Sequence, residues 1–326
     1  MLRITWCLTS CLILFLNSLC RINALRLVQY NTEWLFIDYY APMDCPGQGC
    51  TWKNQSEAET HMKYAANVVN TLNPDIMNVC EVEGINELNL LRSGIDDSEA
   101  YLIKGTDTAT GQNVGLISNL APSKNLTRTE ERIAYPLNGS NCGYTGAPGT
   151  VGVSKHYLTE YILYGRPTLF AGLHLLAYPE DALRCAEREA QAQIVQNVIA
   201  RFFQEVGGEV IVLGDLNDFD GRVLDANRNA PTSRVLDILK GLDGEKKGAY
   251  ELRSATERIP EVERFSDWWD ENDDCVSKLD EFSMIDHVLV TPFLYEKILQ
   301  AFVYHGYDEF CGKYDSDHYP LVVDFV

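Results

Sequence analysis

Four short polar motifs stand at the ends of apolar runs in this 326-residue chain: Tyr30-Asn31-Thr32-Glu33, Val79-Cys80-Glu81-Val82-Glu83, Val212-Leu213-Gly214-Asp215-Leu216-Asn217-Asp218 and Ser316-Asp317-His318-Tyr319-Pro320-Leu321. Two further pieces fall between them, Gly172-Leu173-His174-Leu175 and Met284-Ile285-Asp286-His287-Val288. Carboxylates, amides and imidazoles of this kind suit phosphate-ester hydrolysis. That reaction needs a hard cation held by oxygen ligands, a base or carboxylate to orient water, and a donor near the phosphoryl oxygens. Rigid strand ends hold such groups better than free loops do. Taken singly, each residue has a plain structural reading. Asn31, Asp215, Asn217, Asp317 and His318 suit turns, Glu81 and Glu83 an exposed strand end, His174 a satisfied core position, and Asp286 with His287 a surface pair. Those readings leave the joint order of residue types unaccounted for.

The elements that must carry these motifs alternate between strand and helix periods. Strands are predicted over Leu25 to Tyr30, Asp75 to Val82, Tyr101 to Ile103 and Val114 to Ser118. Tyr157 to Tyr164 and Thr168 to Leu175 read as a hairpin across Gly165-Arg166-Pro167, and Glu209 to Leu213 as a short buried strand. Met284 to Val290, Ile298 to Tyr304 and Leu321 to Phe325 close the chain as strands. Ser56-Glu57-Ala58-Glu59 reads as a capping box; Met62, Ala65, Val69 and Leu72 repeat behind it at helical spacing and Pro74 stops the helix. A long helix is predicted from Asp181 to Phe203 and a helical piece near Val235 to Leu239. About ten strands and two or three helices, interleaved without a linker, predict one α/β domain with two packed sheets covered by helices.

The ordered set Asn31, Glu81, His174, Gly214-Asp215-Leu216-Asn217, Ile285-Asp286-His287 and Ser316-Asp317-His318 resembles the endonuclease/exonuclease/phosphatase superfamily, whose type member is pancreatic deoxyribonuclease I. The resemblance spans Leu25 to Val326. It implies a four-layer sandwich of two mixed β-sheets flanked by helices, with residues 25–326 as the catalytic domain. It implies Glu81 as the main metal ligand, with Asn31 and Asp317 close to the same ion, and Mg²⁺ as that ion, with Mn²⁺ or Ca²⁺ as substitutes. It further implies that Asp215 orients or deprotonates the attacking water, Asn217 donates to the phosphate, and His318, oriented by Asp286, contacts the scissile phosphate. His174 is then the second histidine, near the opposite phosphoryl oxygen or the leaving group, and His287 is structural. Residues 106–118 and the pair Glu81-Val82-Glu83 look more like secreted nucleases than inositol phosphatases. The expected activity is therefore an endonuclease acting on nucleic-acid phosphodiesters. The alternatives are a secreted phospholipid phosphodiesterase, sphingomyelinase-like, and a non-catalytic binding protein.

Composition bounds these readings. With 46% hydrophobic and 23% charged residues the chain is ordinary globular protein, not disordered or fibrous. Twenty-seven Lys and Arg against 47 Asp and Glu give a net charge of −20, which argues against broad electrostatic clamping of nucleic acid. A nuclease that touches a few phosphates through metal ions stays open. Arg3, an uncharged run to Cys20, and Arg21-Ile22-Asn23-Ala24 read as a signal peptide over residues 1–24, with cleavage after Ala24 or Cys20. The expectation is thus a secreted, extracellular monomer without a stable membrane anchor. Cysteine usage agrees: Cys80 reads as a buried free thiol, and Cys45 with Cys50, Cys142 with Cys185 and Cys275 with Cys311 as three disulfides. Sequons at Asn54, Asn125 and Asn138 mark expected glycosylated loops. Trp268-Trp269 has two readings, a base- or lipid-contacting wedge or indoles packed in a loop.

Overall fold

In the computed structural model, residues 24–38, 50–270, 272, 274–307 and 314–326 are described. The expected signal segment as far as Asn23, and the cysteines Cys45 and Cys311, lie outside them. In chain order the strands are β1 (Leu25–Leu35), β2 (Ile76–Val82), β3 (Glu99–Leu102), β4 (Asn113–Ser118), β5 (Arg132–Tyr135), β6 (Gly149–Gly152), β7 (Lys155–Leu163), β8 (Arg166–His174), β9 (Glu209–Asp215), β10 (Arg253–Ser254), β11 (Asp267–Trp268), β12 (Phe282–Ser283), β13 (Asp286–Val290), β14 (Ile298–Val303) and β15 (Leu321–Phe325). The α-helices are α1 (Gln55–Leu72), α2 (Ile85–Leu91), α3 (Ala182–Glu205), α4 (Val235–Leu239) and α5 (Pro292–Tyr295).

Six strands form one sheet in the order β14-β15-β1-β2-β4-β3, and five form a second in the order β10-β13-β9-β8-β7. Each sheet is mixed. β1 runs parallel to β2 in the first and β8 parallel to β9 in the second, with antiparallel neighbours around them. Strands buried on both faces explain the continuous apolar runs in β2, β4 and β9. One core lies between the sheets and joins Leu27, Cys80, Leu116, Tyr157, Phe170, Leu213, Val288 and Leu321. A second lies under α3 and α4 and a third under α1 and α2, each on the outer face of one sheet. The order is helix, sheet, sheet, helix, the four-layer sandwich expected from the resemblance.

Local chemistry explains the elements that frame the site. α1 buries Ala58, Met62, Ala65, Val69 and Leu72 along one face, and ends at Asn73 in a left-handed conformation just before Pro74. Its start differs from the Ser56 capping box. Asn54 is the N-cap, its side chain accepting from Glu57 N at 3.1 Å, while Glu57 Oε2 accepts from Lys53 N at 3.0 Å. The cap thus sits two residues earlier than the motif suggested, where the Asn54 amide oxygen meets a free helix N–H and Glu57 reaches back to the residue before the cap. β7 and β8 are joined by Tyr164 and Gly165 alone, with φ of 51° and 74°, a pair of left-handed residues that matches strand twist. The β5–β6 hairpin and α2 are additional to the elements predicted from sequence.

Cys142 and Cys185 form the expected disulfide, tying the β5–β6 loop to the first turn of α3. Cys50 and Cys275 are also disulfide-bonded, and Cys80 is a buried free thiol. Asn54, Asn125 and Asn138 are all exposed. Among the described residues, no helix is long and apolar enough to cross a membrane.

Candidate active site

One end of the sandwich collects the polar motifs. Asn31 and Glu81 stand near the C-terminal ends of the parallel pair β1 and β2, and His174 and Asp215 end the parallel pair β8 and β9. Asp286 opens β13 and His318 precedes β15, and both strands run antiparallel to those neighbours, so they start at the same end. In the second sheet the register sets a single row: Lys155 faces His174, His174 faces Asp215, and Asp215 faces Asp286. Side chains in one such row project from one face of a sheet.

The side chains meet at Asn31. Its Nδ2 donates to Glu81 Oε1 at 3.2 Å and Asp215 Oδ2 at 3.0 Å, and lies 3.3 Å from His318 Nε2. Its Oδ1 accepts from Glu33 N at 3.1 Å. His174 Nε2 lies 3.6 Å from Asp215 Oδ2 and 3.8 Å from Glu81 Oε1. His318 Nδ1 is 2.7 Å from Asp286 Oδ2, while its Nε2 faces Asp267 Oδ1 at 3.7 Å, Asp215 Oδ2 at 3.9 Å and Asp317 Oδ1 at 4.0 Å. Asn217 N donates to Asp215 Oδ1 at 2.9 Å and its Nδ2 to Leu175 O at 3.2 Å. All eight residues singled out from sequence therefore fall in this cluster. His287, on the opposite pleat from Asp286, turns away and bonds Asp218 O at 2.9 Å.

Backbone conformation aims these groups. The β2–β4 register shifts between Cys80 and Val82, and Glu81 takes a φ of 65°. Strict alternation would turn Glu81 away from the face that Cys80 occupies; the bulge rotates it towards Asn31. Glu33, Trp34 and Asn217 also have positive φ. Such strain at one sheet end is held only where the surrounding structure over-determines it. Trp34 N donates to Glu81 Oε2 at 3.0 Å, and Glu33 accepts from Asp317 N and Thr51 Oγ1.

The electrostatics follow from crowding carboxylates in a buried place. Burial, and then the Asp286 charge, push Asp215 up to about 7, with His318 opposing. Burial raises Asp317 to about 7 against the pull of His318, with Asp267 and Glu81 adding to the rise. Glu33 rises well above the usual carboxylate range through burial and Asp317. Burial alone would lower His318, but Asp286, Asp317 and Asp267 outweigh it and hold the ring well above its ordinary value. His174 goes the other way, lowered well below its ordinary value by burial, by Lys155 and by His318. The two histidines are thus pushed in opposite directions within one site. Asp267, Asp317 and His318 bring potential ligand atoms close together, but a protonated His318 has no free nitrogen lone pair, so only the two carboxylates could meet a cation there.

Several partners were missed from sequence. Asp286 also accepts from Gln29 Nε2 at 2.9 Å and Ser266 Oγ at 2.8 Å, and Gln29 Oε1 accepts from Asn78 Nδ2 at 2.5 Å. These buried polar residues on apolar strands carried the signal of a network. β11 bridges the Asp317-His318 turn: Trp268 N donates to Asp317 O at 3.1 Å and Tyr319 N to Ser266 O at 2.7 Å. The Trp pair divides accordingly. Trp268 is buried, donating from Nε1 to Glu281 Oε2 at 3.0 Å, whereas Trp269 is 66% exposed. The sequence pattern starts the hairpin strand at Tyr157 and so leaves Lys155 outside it. A two-residue turn at 164–165 pairs His174 with residue 155, so the register itself would have found it.

Several solved structures share this fold. A truncated Caenorhabditis elegans TDP2 aligns over 93% of this chain and 97% of its own, at 18% identity and a TM-score of 0.54. An AP endonuclease from Archaeoglobus fulgidus aligns over 92% and 99%, at 12% identity and 0.57. A mannosyl-6-phosphatase from Bacteroides thetaiotaomicron aligns over 93% and 99%, at 16% identity and 0.53. No curated protein matches this chain. Residues 28–318 match the model of the Endonuclease/Exonuclease/phosphatase family, a span that runs from β1 through the last of the clustered histidines. With that match and with the sandwich and its polar end, the chain belongs to the Endonuclease/Exonuclease/phosphatase family and is a phosphoesterase-type hydrolase.

Proposed function

We propose that this protein is a secreted, divalent-metal-dependent phosphodiesterase that cleaves nucleic acid internally. The observation that carries the reading is the convergence of Asn31, Glu81, His174, Asp215 and His318 within 4 Å links, with Asp286 fixed behind His318. A cation fits the donor set. Asp215, Asp317 and Glu33 all rise through burial and mutual repulsion, and a hard divalent ion would neutralise that excess with the oxygen ligands it prefers. Glu81, Asn31 and Asp317 would hold Mg²⁺, with Mn²⁺ or Ca²⁺ as alternatives, and the ion would supply charge stabilisation at the phosphoryl group.

The chain's own groups then have distinct tasks. Asp215 accepts a hydrogen bond from the attacking water and orients it. His318, charged and held at Nδ1 by Asp286, presents Nε2–H to a phosphoryl oxygen. Asn217, locked by Asp215 and Leu175, offers its amide to the phosphate. His174 stands on the other side of Asp215, near the opposite phosphoryl oxygen. The name of one neighbour, an AP endonuclease, supports a nucleic-acid substrate. A phospholipid phosphodiesterase is the second reading, favoured by the exposed Trp269 beside β11. The deciding assay gives purified protein plasmid DNA, RNA, sphingomyelin vesicles and phosphoinositides, with Mg²⁺ or with chelator. Nicked plasmid or internally cut RNA, abolished by chelator, is expected. Turnover of lipid alone replaces the first reading with the second.

A further inference from the structure

Gln29 lies fully buried on β1, between Val28 and Tyr30, and its amide spans the gap between the two sheets. Its Nε2 donates to Asp286 Oδ1 at 2.9 Å, from β1 across to β13. Behind it Asn78 on β2, its partner in the parallel register, donates from Nδ2 to Gln29 Oε1 at 2.5 Å. Asn78 and Asp286 are buried as deeply. The order of atoms along this relay is forced. A carboxylate only accepts, so Gln29 turns its NH₂ to Asp286; its carbonyl then faces Asn78, which must answer with NH₂. Ser266 Oγ and His318 Nδ1 meet the other carboxylate oxygen, Oδ2, at 2.8 and 2.7 Å. Gln29 thus keeps Oδ1 occupied and leaves Oδ2 to the histidine. Two amides buried in an otherwise apolar layer cost more than two aliphatic chains would. Gln29 and Asn31 are two residues apart on β1 and face the same way, so Gln29 ties the strand that places Asn31 beside Glu81 to the strand that opens at Asp286.

We propose that Gln29, set by Asn78, is a positioning residue for the Asp286–His318 pair. It touches none of the reacting groups. It holds the Asp286 carboxylate in the rotation that directs Oδ2 at His318 Nδ1, and so fixes where His318 Nε2 points. Without the amide, Oδ1 is left buried and unpaired, and the carboxylate gains by turning until Oδ1 shares the Ser266 and His318 donors. The His318 ring then follows or loses its bond. The inference rests on the phosphodiesterase reading and extends it to two residues of the first sheet that lie behind the site.

The test is a double-mutant cycle of Gln29→Met with His318→Ala, assayed on bis(4-nitrophenyl) phosphate in Mg²⁺. The His318 Nδ1–H proton signal is read alongside by NMR and identified by its absence from His318→Ala. Methionine matches glutamine in length but donates nothing. Gln29→Met should lower kcat roughly 10–100-fold with KM little changed, because a small misplacement of a reacting group costs that much. In the His318→Ala background the same substitution should cost nothing further, since the residue it acts through is gone. The proton signal should shift or broaden. A residue that serves packing alone would lower activity equally in both backgrounds. That equal loss, or parental turnover in folded Gln29→Met, overturns the proposal. If Gln29→Met does not fold, Asn78→Leu enters the same cycle under the same criteria, and failure of both to fold overturns the proposal too. A parent that hydrolyses no phosphoester removes the phosphodiesterase reading; the proton signal of the folded variant then decides, and an unmoved signal overturns the proposal.

Discussion

His318 and His174 both face Asp215, yet their surroundings push the first up and the second down, and the residue-scale predictions follow from that asymmetry. His318→Ala should lower turnover roughly 10²–10³-fold, the loss typical of one positioned donor, with Tm nearly unchanged. Asp286→Asn should be milder, because Gln29 and Ser266 still hold residue 286 and only the charge on His318 falls. A pair of steady-state assays with melting curves checks both; a His318→Ala protein at parental rate would contradict the assignment. Glu81→Gln should shift the Mg²⁺ activation curve to higher concentration while the fold persists, since Trp34 N can still donate to the side-chain oxygen. Metal titration of activity reads this directly, and an unchanged curve would remove Glu81 from the ligand set.

At the scale of elements, the end of β9 depends on a glycine. Gly214 has a φ of 155°, and a Cβ there would meet Leu173 O at 1.9 Å, inside the parallel β8–β9 ladder. Backbone cannot yield as a flexible side chain does, so Gly214→Ala should force the two strands apart and displace Asp215 beside it. Loss of soluble protein, or a folded protein with little activity, is expected; parental stability and rate would show that the strands slide freely. The Cys142–Cys185 bridge closes a loop of 43 residues, and neither cysteine is one of the residues of the site. Chain-entropy arguments give such a loop up to about 4 kcal/mol. Cys142→Ser with Cys185→Ser should lower the urea midpoint accordingly, yet leave kcat/KM of the folded protein intact.

The molecule as a whole carries a charge of −20, and its proposed substrate is a polyanion. Like charges slow encounter, and salt screens them, with a Debye length of about 30 Å at 0.01 M and about 8 Å at 0.15 M. With Mg²⁺ held constant, kcat/KM on DNA or RNA should therefore rise as NaCl increases from low to physiological concentration. A basic nuclease shows the reverse, because it gains affinity from released counterions. A monotonic fall in rate over that range would mean that a local basic surface, not the net charge, governs approach.

Much of this was present in the chain before it folded. Period-two and helical patterning located the long elements, because burial imposes those periods wherever a face meets the core. Gly214-Asp215-Leu216-Asn217 and Ser316-Asp317-His318 marked the chemistry, because short-range spacing fixes which residues share a turn. The short β5–β6 hairpin escaped, being half-exposed and without strong alternation. Asp267, Gln29 and Ser266 escaped for another reason: their partners lie 51, 257 and 20 residues away, and no local pattern records such pairings. Only the tertiary structure decided that Glu81 turns inward through a bulge, that His318 is pushed up and His174 down, and that Lys155 is buried against His174. Those are properties of desolvation and of the charges that two sheets bring together, and both arise only when the sheets stack.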